Sequence, residues 1–209
     1  MKKLTTAFLL SIIAFSNILA GETISLFDGK TLTGWKVVDA KQQGWWSVKD
    51  GSITCGDGKS GLAKNTFLAT EKEFGDFEFR CLFKITGDHK TGLINSGIQY
   101  RSVINNKISG YQADIGKNYW GGIYDENRRN KGLIKRDVSS LKYVLNPEGW
   151  NTYIIRCIGN RHQIYINGTL TGEYIEKDET IPAKGVIAFQ LHSGGHAQVF
   201  FKHITITEL

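Results

Sequence analysis

Apolar and polar side chains alternate with a period of two residues along most of this chain. The clearest stretch runs from residue 76 to residue 85, where every second residue from Phe77 to Ile85 is apolar and most residues between them are charged. Successive side chains of a β-strand point to opposite faces, so this pattern predicts a strand with one buried face. No long stretch shows the 3.6-residue period of an amphipathic helix. We therefore expect an all-β protein.

Turn signals divide the chain into many short strands. The dipeptide Asn167-Gly168 separates two alternating segments, and because both residues tolerate positive φ it predicts a β-hairpin. The composition, with 24 Gly, two Pro and 11% aromatic residues, also fits strands joined by tight turns. Many strands without intervening helices indicate a β-sandwich or barrel. Further strands are predicted over residues 46–48, 52–55, 97–101, 110–115, 151–158, 185–191 and 198–208.

Two other segments have specific expectations. Residues 117–147 are polar and basic, and we predict loops with a short helical turn there; loops of this length often carry function. The early segment Ile24–Phe27 is expected to pair with the final strand Val199–Leu209, which would hold the two ends of the domain together.

The N-terminus has the pattern of a secretory signal peptide over residues 1–20. Lys2 and Lys3 precede an apolar stretch from Ala7 to Phe15, and Ala20 offers a small residue for cleavage. The apolar stretch is much shorter than the ~20 residues that a membrane span needs. We expect an exported protein, periplasmic or extracellular, with no membrane span and with residues 21–209 forming one domain.

Charge and cysteine content narrow the function classes further. The formal net charge of +6 is spread along the chain without a basic stripe or a nucleic-acid-binding motif, so no nucleic-acid partner is expected. Cys55, Cys81 and Cys157 form an odd number in an oxidising compartment; one pair could form a disulfide, and the sequence leaves the pairing open. None lies in a Cys-x-x-Cys pair, so no catalytic thiol is expected.

Three predicted strands carry polar residues on one face. If these strands are neighbours, the face presents amide, carboxylate, guanidinium and imidazole groups together, which suits the many hydroxyls of a sugar. The alternative is a polar sheet face that is simply exposed to water. The residues that share this parity are Asn95, Gln99 and Arg101 in the first strand, Gln112 and Asp114 in the second, and Gln190 and His192 in the third.

Aromatic and ionisable residues near these strands complete the set of candidates. Trp120 and Tyr124 could stack on a sugar ring. The sequence leaves open a divalent cation such as Ca²⁺ at the carboxylates, although it contains no spaced loop of oxygen ligands, and it indicates no other cofactor. Candidates for acid–base chemistry are Asp114, Asp125, Glu126 and His192.

The usual catalytic motifs are missing from the sequence. It has no Gly-x-Ser-x-Gly elbow, phosphate-binding loop or dinucleotide-binding glycine pattern. A conventional glycosidase needs two separated carboxyl groups across the scissile bond. Asp125 and Glu126 are adjacent and would point to opposite sides of a strand, so they do not form such a pair.

Residues 26–35, Leu-Phe-Asp-Gly-Lys-Thr-Leu-Thr-Gly-Trp, are similar to the opening motif of the 3-keto-disaccharide hydrolase domain family. The resemblance covers nearly the whole mature chain. It implies a concanavalin-A-like jelly-roll β-sandwich of two antiparallel sheets, with a carbohydrate site on its concave face. Further similar segments follow in family order at residues 46–51, 74–79, 95–98, 110–111, 150–151, 167–168, 185–192 and 201–204.

The resemblance also implies a hydrolase or lyase that acts on glycosides oxidised at the sugar 3-position. A ketone at C3 acidifies the C2 proton, so a base can remove that proton and expel the C1 substituent, after which water adds back. Many members have the sequence Gly-Tyr-Glu-x-Gln where this chain has Gly-Tyr-Gln-Ala-Asp at 110–114. Because the carboxylate stands at a different position, the identity of the catalytic base stays open. We assign the role of base to Asp114 or His192 and the role of acid to Glu126 or Asp125, and we expect Arg101 to stabilise the ketone oxygen. The residues expected to position the sugar are Asn95, Gln99, Tyr111, Gln112 and Trp120.

Two other classes of protein share this kind of sequence. A non-catalytic, lectin-like protein would bind unmodified saccharides and release no product, because this fold serves lectins as readily as enzymes. A scaffold or adhesion domain would neither bind nor cleave a sugar. The enzyme is distinguished by cleaving a 3-keto-glycoside and ignoring the unoxidised glycoside.

Overall fold

The computed structural model describes residues 21–134 and 139–209, so the predicted signal peptide lies outside the described residues. No helix in these two ranges is long and apolar enough to cross a membrane. Two short 3₁₀ turns cover Ala40–Trp45 and Leu141–Tyr143. The strands are β1 (Thr23–Ser25), β2 (Trp35–Val37), β3 (Trp46–Lys49), β4 (Ser52–Cys55), β5 (Thr66–Phe74), β6 (Phe77–Asp88), β7 (Asn95–Asn105), β8 (Lys107–Gly116), β9 (Ile123–Glu126), β10 (Asn151–Ile158), β11 (Arg161–Ile166), β12 (Thr169–Ile175), β13 (Gly185–Leu191) and β14 (His196–Glu208).

The strands form two antiparallel sheets that pack face to face. The first sheet has the order β12-β11-β10-β6-β14-β4-β3, with β1 also paired to β14, and the second has the order β2-β5-β13-β7-β8-β9. Aromatic side chains join the sheets: Phe189 of β13 stacks on Phe201 of β14 with ring centroids 3.8 Å apart and on Trp35 at 4.9 Å. The result is a jelly-roll β-sandwich, which confirms the predicted fold class.

Several predicted elements are found where the sequence placed them. Asn167 and Gly168 both have positive φ, 48° and 77°, and connect β11 to β12 as a tight hairpin turn. The chain ends are held together as expected, because β1 pairs with β14 from Thr23↔Thr207 to Ser25↔Thr205. The short helical turn predicted within residues 117–147 is found at Leu141–Tyr143.

Three strands of the second sheet, β2, β5 and β9, were not predicted from the sequence. In β5 the consecutive residues Phe67, Leu68 and Ala69 are all buried. Leu68 belongs to the core between the sheets, whereas Phe67 and Ala69 belong to a separate apolar cluster on the other side of the strand. A strand that is covered on both faces loses the alternation on which the sequence argument depends.

All three cysteines are buried free thiols, so the disulfide that the sequence left open does not form. Cys55, Cys81 and Cys157 lie on β4, β6 and β10. Burial raises the pKa of each thiol, in Cys157 to about 12. These side chains therefore act as small apolar residues of the core, as expected for cysteines without a catalytic role.

A network of hydrogen bonds surrounds the carboxylate of Glu176 where β12 ends. Oε2 of Glu176 accepts hydrogen bonds from the Tyr111 hydroxyl and from Nη2 of Arg129, both at 2.6 Å. Oε1 accepts from the backbone N–H groups of Lys177 and Asp178 at 2.9 Å. Burial by itself would raise the pKa of Glu176, but these donors, with Tyr111 and Arg129 foremost, lower it to about 2.

The low pKa of Glu176 predicts a loss of stability in acid. A carboxyl whose folded-state pKa lies below its ordinary value stabilises the fold above pH ~4.5, and that contribution disappears as the pH falls towards 2. We expect the free energy of unfolding, measured with urea between pH 6 and pH 2, to fall less steeply in Glu176→Gln than in the parent. The exposed neighbour Glu179, changed to Gln, is the control and should leave the slope unchanged. Equal slopes in parent and Glu176→Gln would contradict this prediction.

Candidate functional site

The polar face predicted from the sequence lies on the outer side of the second sheet. Residues that are directly opposite on paired strands share a face. The register pairs Gln99 with Gln112 between β7 and β8, Gly97 with Asp114 on the same two strands, and Gln190 with Gly97 between β13 and β7. The structure therefore brings these amide and carboxylate groups to one side of one sheet.

Two adjoining cavities lie over this face, and we call them together the sheet groove. The larger cavity, of about 700 Å³, extends over Phe67 and Ile108, and it shares Asn65 and Glu126 with the smaller one. The smaller cavity, of about 280 Å³, is lined by Asn65, Leu93, Asn95, Gln112, Asp114, Tyr119, Tyr124, Glu126 and His192.

A chain of hydrogen bonds runs beneath the smaller cavity and ends on the carboxylate of Asp114. The hydroxyl of Ser102 donates to Oε1 of Gln99 at 2.7 Å, and Nε2 of Gln99 donates to Oε1 of Gln112 at 2.9 Å. Nε2 of Gln112 then donates to Oδ1 of Asp114 at 3.0 Å. Because Ser102, Gln99 and Gln112 are buried, this amide chain fixes the orientation of the Asp114 carboxylate.

His192 lines the smaller cavity with a defined tautomer. Its Nδ1 lies 2.6 Å from the backbone carbonyl oxygen of Ser193. A carbonyl only accepts hydrogen bonds, so Nδ1 carries the proton and Nε2 of the neutral ring keeps its lone pair. In its neutral form, His192 thus presents to the cavity the free Nε2 lone pair that a general base requires.

The carboxyl group of Glu126 has the properties of a proton donor, whereas His192 has those of a base. Burial raises its pKa, and the positive charges of Lys107 and of the protonated form of His192 offset only part of that effect. Glu126 therefore keeps its proton to a higher pH than an exposed glutamate, as a general acid requires. Burial and the carboxylates of Glu126 and Asp114 also raise the pKa of Tyr124, whose hydroxyl remains a hydrogen-bond donor.

Gln190 lies on the same face and is fully buried. Within the described part of the chain, neither its amide nitrogen nor its amide oxygen has a hydrogen-bond partner. Its backbone partners are Gly97 of β7 and Phe67 of β5. Its side chain lies on the groove side of β13 but is covered, and it is not among the residues that line the two cavities.

Arg101 does not belong to the sheet groove, and the expected parity with Gln99 is wrong. The register of β7 shifts after Tyr100, and Arg101 adopts a left-handed φ of 45°. These changes turn its side chain away. Nη2 of Arg101 donates to Oδ1 of Asp76 at 2.7 Å, and Nε and Nη1 donate to backbone carbonyl oxygens at 3.0 and 2.6 Å.

Asp125 and Tyr111 also lie away from the groove, because they are partners on the inner side of β8 and β9. Asp125 is fully buried and accepts a hydrogen bond from Nε of Arg128 at 2.8 Å. The hydroxyl of Tyr111 is bonded to Glu176. Neither side chain is placed where the assigned roles of acid and sugar-binding residue need it.

Tyr119, and not its neighbour Trp120, lines the groove. The Trp120 ring packs against Phe83 with centroids 6.2 Å apart and lines a different cavity. Tyr119 and Trp120 lie in the turn after β8, where strand parity does not apply, so the sequence could not choose between them. Asn65, a further lining residue, lies just before β5, which the sequence did not reveal as a strand.

Among residues 21–134 and 139–209, no three His, Cys, Asp or Glu side chains come together as ligands for a metal ion. Asp114, Glu126 and His192 line one cavity but do not form such a group. The described residues thus provide no set of side-chain ligands for the Ca²⁺ ion that the sequence left open.

Solved structures with the same fold include carbohydrate-binding proteins and glycosyl hydrolases. The carbohydrate-binding module CBM66 from Bacillus subtilis matches with a TM-score of 0.63 at 16% identity, over 85% of this chain and 97% of that one. A putative glycosyl hydrolase from Parabacteroides distasonis matches with a TM-score of 0.62 at 22% identity, over 90% and 94%. Lectin I-B4 from Griffonia simplicifolia matches with a TM-score of 0.56 at 8% identity, over 90% and 100%. The fold is therefore the jelly roll of lectin-like and glycosyl hydrolase-like proteins.

The family is established by sequence. Residues 22–207 match the 3-keto-alpha-glucoside-1,2-lyase-like domain family, and the chain belongs to that family. This confirms the resemblance found in the sequence motifs and makes the function of the protein carbohydrate-related. No functionally curated protein matches the chain.

Proposed function

We propose that this protein cleaves 3-keto-glycosides in the sheet groove by 1,2-elimination followed by hydration. One observation carries the proposal: a single cavity is lined by an imidazole with an available Nε2, a carboxyl group with a raised pKa and an oriented carboxylate. These are His192, Glu126 and Asp114. The family to which the chain belongs and the polar lining of the cavity support the same substrate class.

The reaction balances without an oxidant or a reductant. A base removes the proton from C2, which the neighbouring C3 ketone makes acidic, and the electrons form an enolate. The enolate expels the oxygen substituent at C1 as an alcohol, which leaves a double bond between C1 and C2. Water then adds at C1, and C2 takes up a proton. One water molecule is consumed in all.

The cavity residues suit these steps. Nε2 of His192 takes the C2 proton, and Glu126 delivers a proton to the oxygen that leaves C1. The carboxylate of Asp114, held by the amide chain, binds sugar hydroxyls and positions the ring. The amide of Asn95 and the hydroxyl of Tyr124 provide donors for the ketone oxygen, the role first assigned to Arg101.

Deuterium labelling tests the route. The protein is incubated in D₂O with a 3-keto-disaccharide, and the released 3-keto sugar is analysed by mass spectrometry and NMR. Elimination and hydration place one deuterium at C2, and the unoxidised disaccharide stays intact. Release without deuterium at C2 would indicate direct displacement, and absence of release would contradict the enzymatic proposal.

A non-catalytic saccharide-binding protein is the second candidate. The polar lining of the smaller cavity by Asn95, Gln112 and Asp114 also supports it, because amide and carboxylate groups can bind hydroxyls without any chemistry. This candidate predicts saturable binding of unoxidised saccharides in calorimetry and no product from their 3-keto forms. Turnover of a 3-keto-disaccharide would rule it out.

Gly97 offers a test of the amide chain. A Cβ at this position would lie 2.5 Å from Cγ and Cδ of Gln112, so Gly97→Ala should displace the Gln112 side chain and release Asp114. We expect kcat/KM for a 3-keto-disaccharide to fall by about tenfold or more, equivalent to the loss of one hydrogen bond to a charged group. Gly75→Ala, where a Cβ meets nothing within 4 Å, is the control. Unchanged kcat/KM in Gly97→Ala would show that the amide chain does not support the reaction.

We also propose that the protein is exported as one domain after removal of residues 1–20. The charged start, short apolar stretch and small residue at Ala20 support this. Mass spectrometry of the protein recovered from the periplasm or the medium should give a chain that begins at Gly21. Recovery of the full-length chain in the cytoplasm alone would contradict export.

A further inference from the structure

Another cavity, of about 480 Å³, which we call the end cavity, lies on the opposite side of the second sheet from the smaller groove cavity: Tyr111 of β8 lines the end cavity and its neighbour Gln112 lines the groove. Its lining also includes Arg101 in the second half of β7, whereas Asn95 at the start of β7 lines the groove. Six residues of strand separate these two positions by about 20 Å. Other residues that line this end cavity are His162, Glu176, Ile181 and Ala183.

Buried polar atoms without partners are concentrated around the end cavity. His162 is buried; its Nδ1 lies 3.8 Å from Sγ of Cys157, and Nε2 at the tip of the ring has no hydrogen-bond partner. The Tyr100 hydroxyl and Nη2 of Arg128 are also unpartnered. All three side chains surround Tyr111, at centroid distances of 4.5 Å for His162 and 5.4 Å for Tyr100, with the Arg128 guanidinium 4.3 Å above its ring.

Unpartnered buried polar atoms are rare in folded proteins, because each loses its hydrogen bonds to water without replacement. Of the five such side-chain atoms in the described ranges, three occur in this one cluster, and the other two are the amide atoms of Gln190. Of the three residues, His162 lines the cavity beside the cluster, which provides the room for a molecule that would supply the missing partner of its Nε2.

The buried charges at and beside the end cavity are paired, and its other charged lining residues, Lys177, Asp178 and Glu179, are exposed. Arg101 is paired with Asp76 at 2.7 Å, Arg128 with Asp125 at 2.8 Å, and Arg129 with Glu176 at 2.6 Å. Burial, followed by the positive charge of Arg101, lowers the pKa of His162 to about 3, so the imidazole is neutral. A neutral imidazole among paired charges attracts neither an anion nor a cation, but it can exchange a hydrogen bond with a hydroxyl.

We propose that the end cavity binds a neutral, hydroxyl-rich molecule of the size of a monosaccharide. Nε2 of His162 bonds to one of its hydroxyls, and Ile181, Pro182 and Ala183 pack against its C–H groups. The volume suits this class, since small-molecule sites commonly measure about 300–1,000 Å³. This second site does not depend on the proposed reaction in the sheet groove.

The test is a titration of the protein with D-glucose and, separately, glycerol, followed by NMR of the His162 ring. We expect a saturable shift of the His162 signals with D-glucose. Ala183→Trp, at an exposed position that lines the cavity, should weaken this binding at least tenfold without disturbing the core. His162→Phe should abolish binding as measured by calorimetry. Asp114→Asn, in the sheet groove, should leave it unchanged.

Three outcomes would overturn the proposal. No shift at any concentration up to the solubility limit of the sugar would mean that the end cavity holds only water. A shift that persists in Ala183→Trp would place the ligand elsewhere. A shift that is lost in Asp114→Asn would show that it reports binding in the groove. Because Ala183 is exposed, its variant keeps the test valid even if His162→Phe does not fold.

Discussion

Replacing His192 with alanine is expected to lower the turnover of a 3-keto-disaccharide by roughly 100- to 10,000-fold, the range for loss of a general base. The hydrogen bond from Nδ1 to the carbonyl oxygen of Ser193 leaves Nε2 as the available base in the cavity. Steady-state kinetics should show the loss mainly in kcat, because proton removal occurs after the sugar has bound.

Added imidazole distinguishes a base from a structural residue. In His192→Ala a free imidazole can enter the vacated space, and we expect it to restore part of the activity in proportion to its concentration. The matched control is His203→Ala, an exposed histidine of β14, which should behave as the parent. Near-normal turnover in His192→Ala would reject His192 as the base and leave Asp114, whose Asn variant would then be expected to lose activity.

Glu126→Gln should produce the second large effect, a loss of roughly 100-fold with substrates whose C1 substituent is a poor leaving group. Glutamine keeps the size of the side chain and cannot deliver a proton. With an activated aryl leaving group, which departs without protonation, the loss should nearly vanish. This dependence on the leaving group separates an acid from a residue that only binds the sugar.

The pH profile gives an independent check on Glu126. Burial raises its pKa, so the protonated form persists to a higher pH than in an exposed glutamate and is lost as the pH rises through that pKa. We expect kcat/KM to fall there in the parent and this alkaline limb to be absent in Glu126→Gln. Glu148→Gln, an exposed residue outside the groove, is the control. The same alkaline limb in Glu126→Gln would assign it to another group.

The polar face could be predicted wherever the strands are regular. Gln99, Gln112, Asp114 and Gln190 share one face, as their spacing indicated, because the period of two holds along each strand and neighbouring strands keep it in register. Arg101 breaks the rule two residues after Gln99. A single shift of register, together with a left-handed backbone, reverses the direction of the following side chain.

The sequence could not place two other candidate residues, Asp125 and Trp120, for a similar reason. Asp125 and Glu126 point to opposite sides of β9, as the sequence indicated, but only the fold shows that Asp125 faces the core and Glu126 faces the cavity. Similarly, only the packing of Trp120 against Phe83 decides that Tyr119 lines the groove. For two adjacent residues in a turn, the sequence does not predict which side chain will face the groove and which the core.

The sequence by itself determined the all-β class, the hairpin at Asn167-Gly168, the family and the set of polar strands, because these depend on neighbouring residues. The tertiary structure alone decided which carboxyl is buried with a raised pKa, which nitrogen of His192 is available and how the amide chain reaches Asp114. It also revealed the end cavity, where Tyr111 of β8 meets His162 of β11. Each of these features depends on contacts between residues that are distant along the chain, and such contacts exist only once the two sheets have packed.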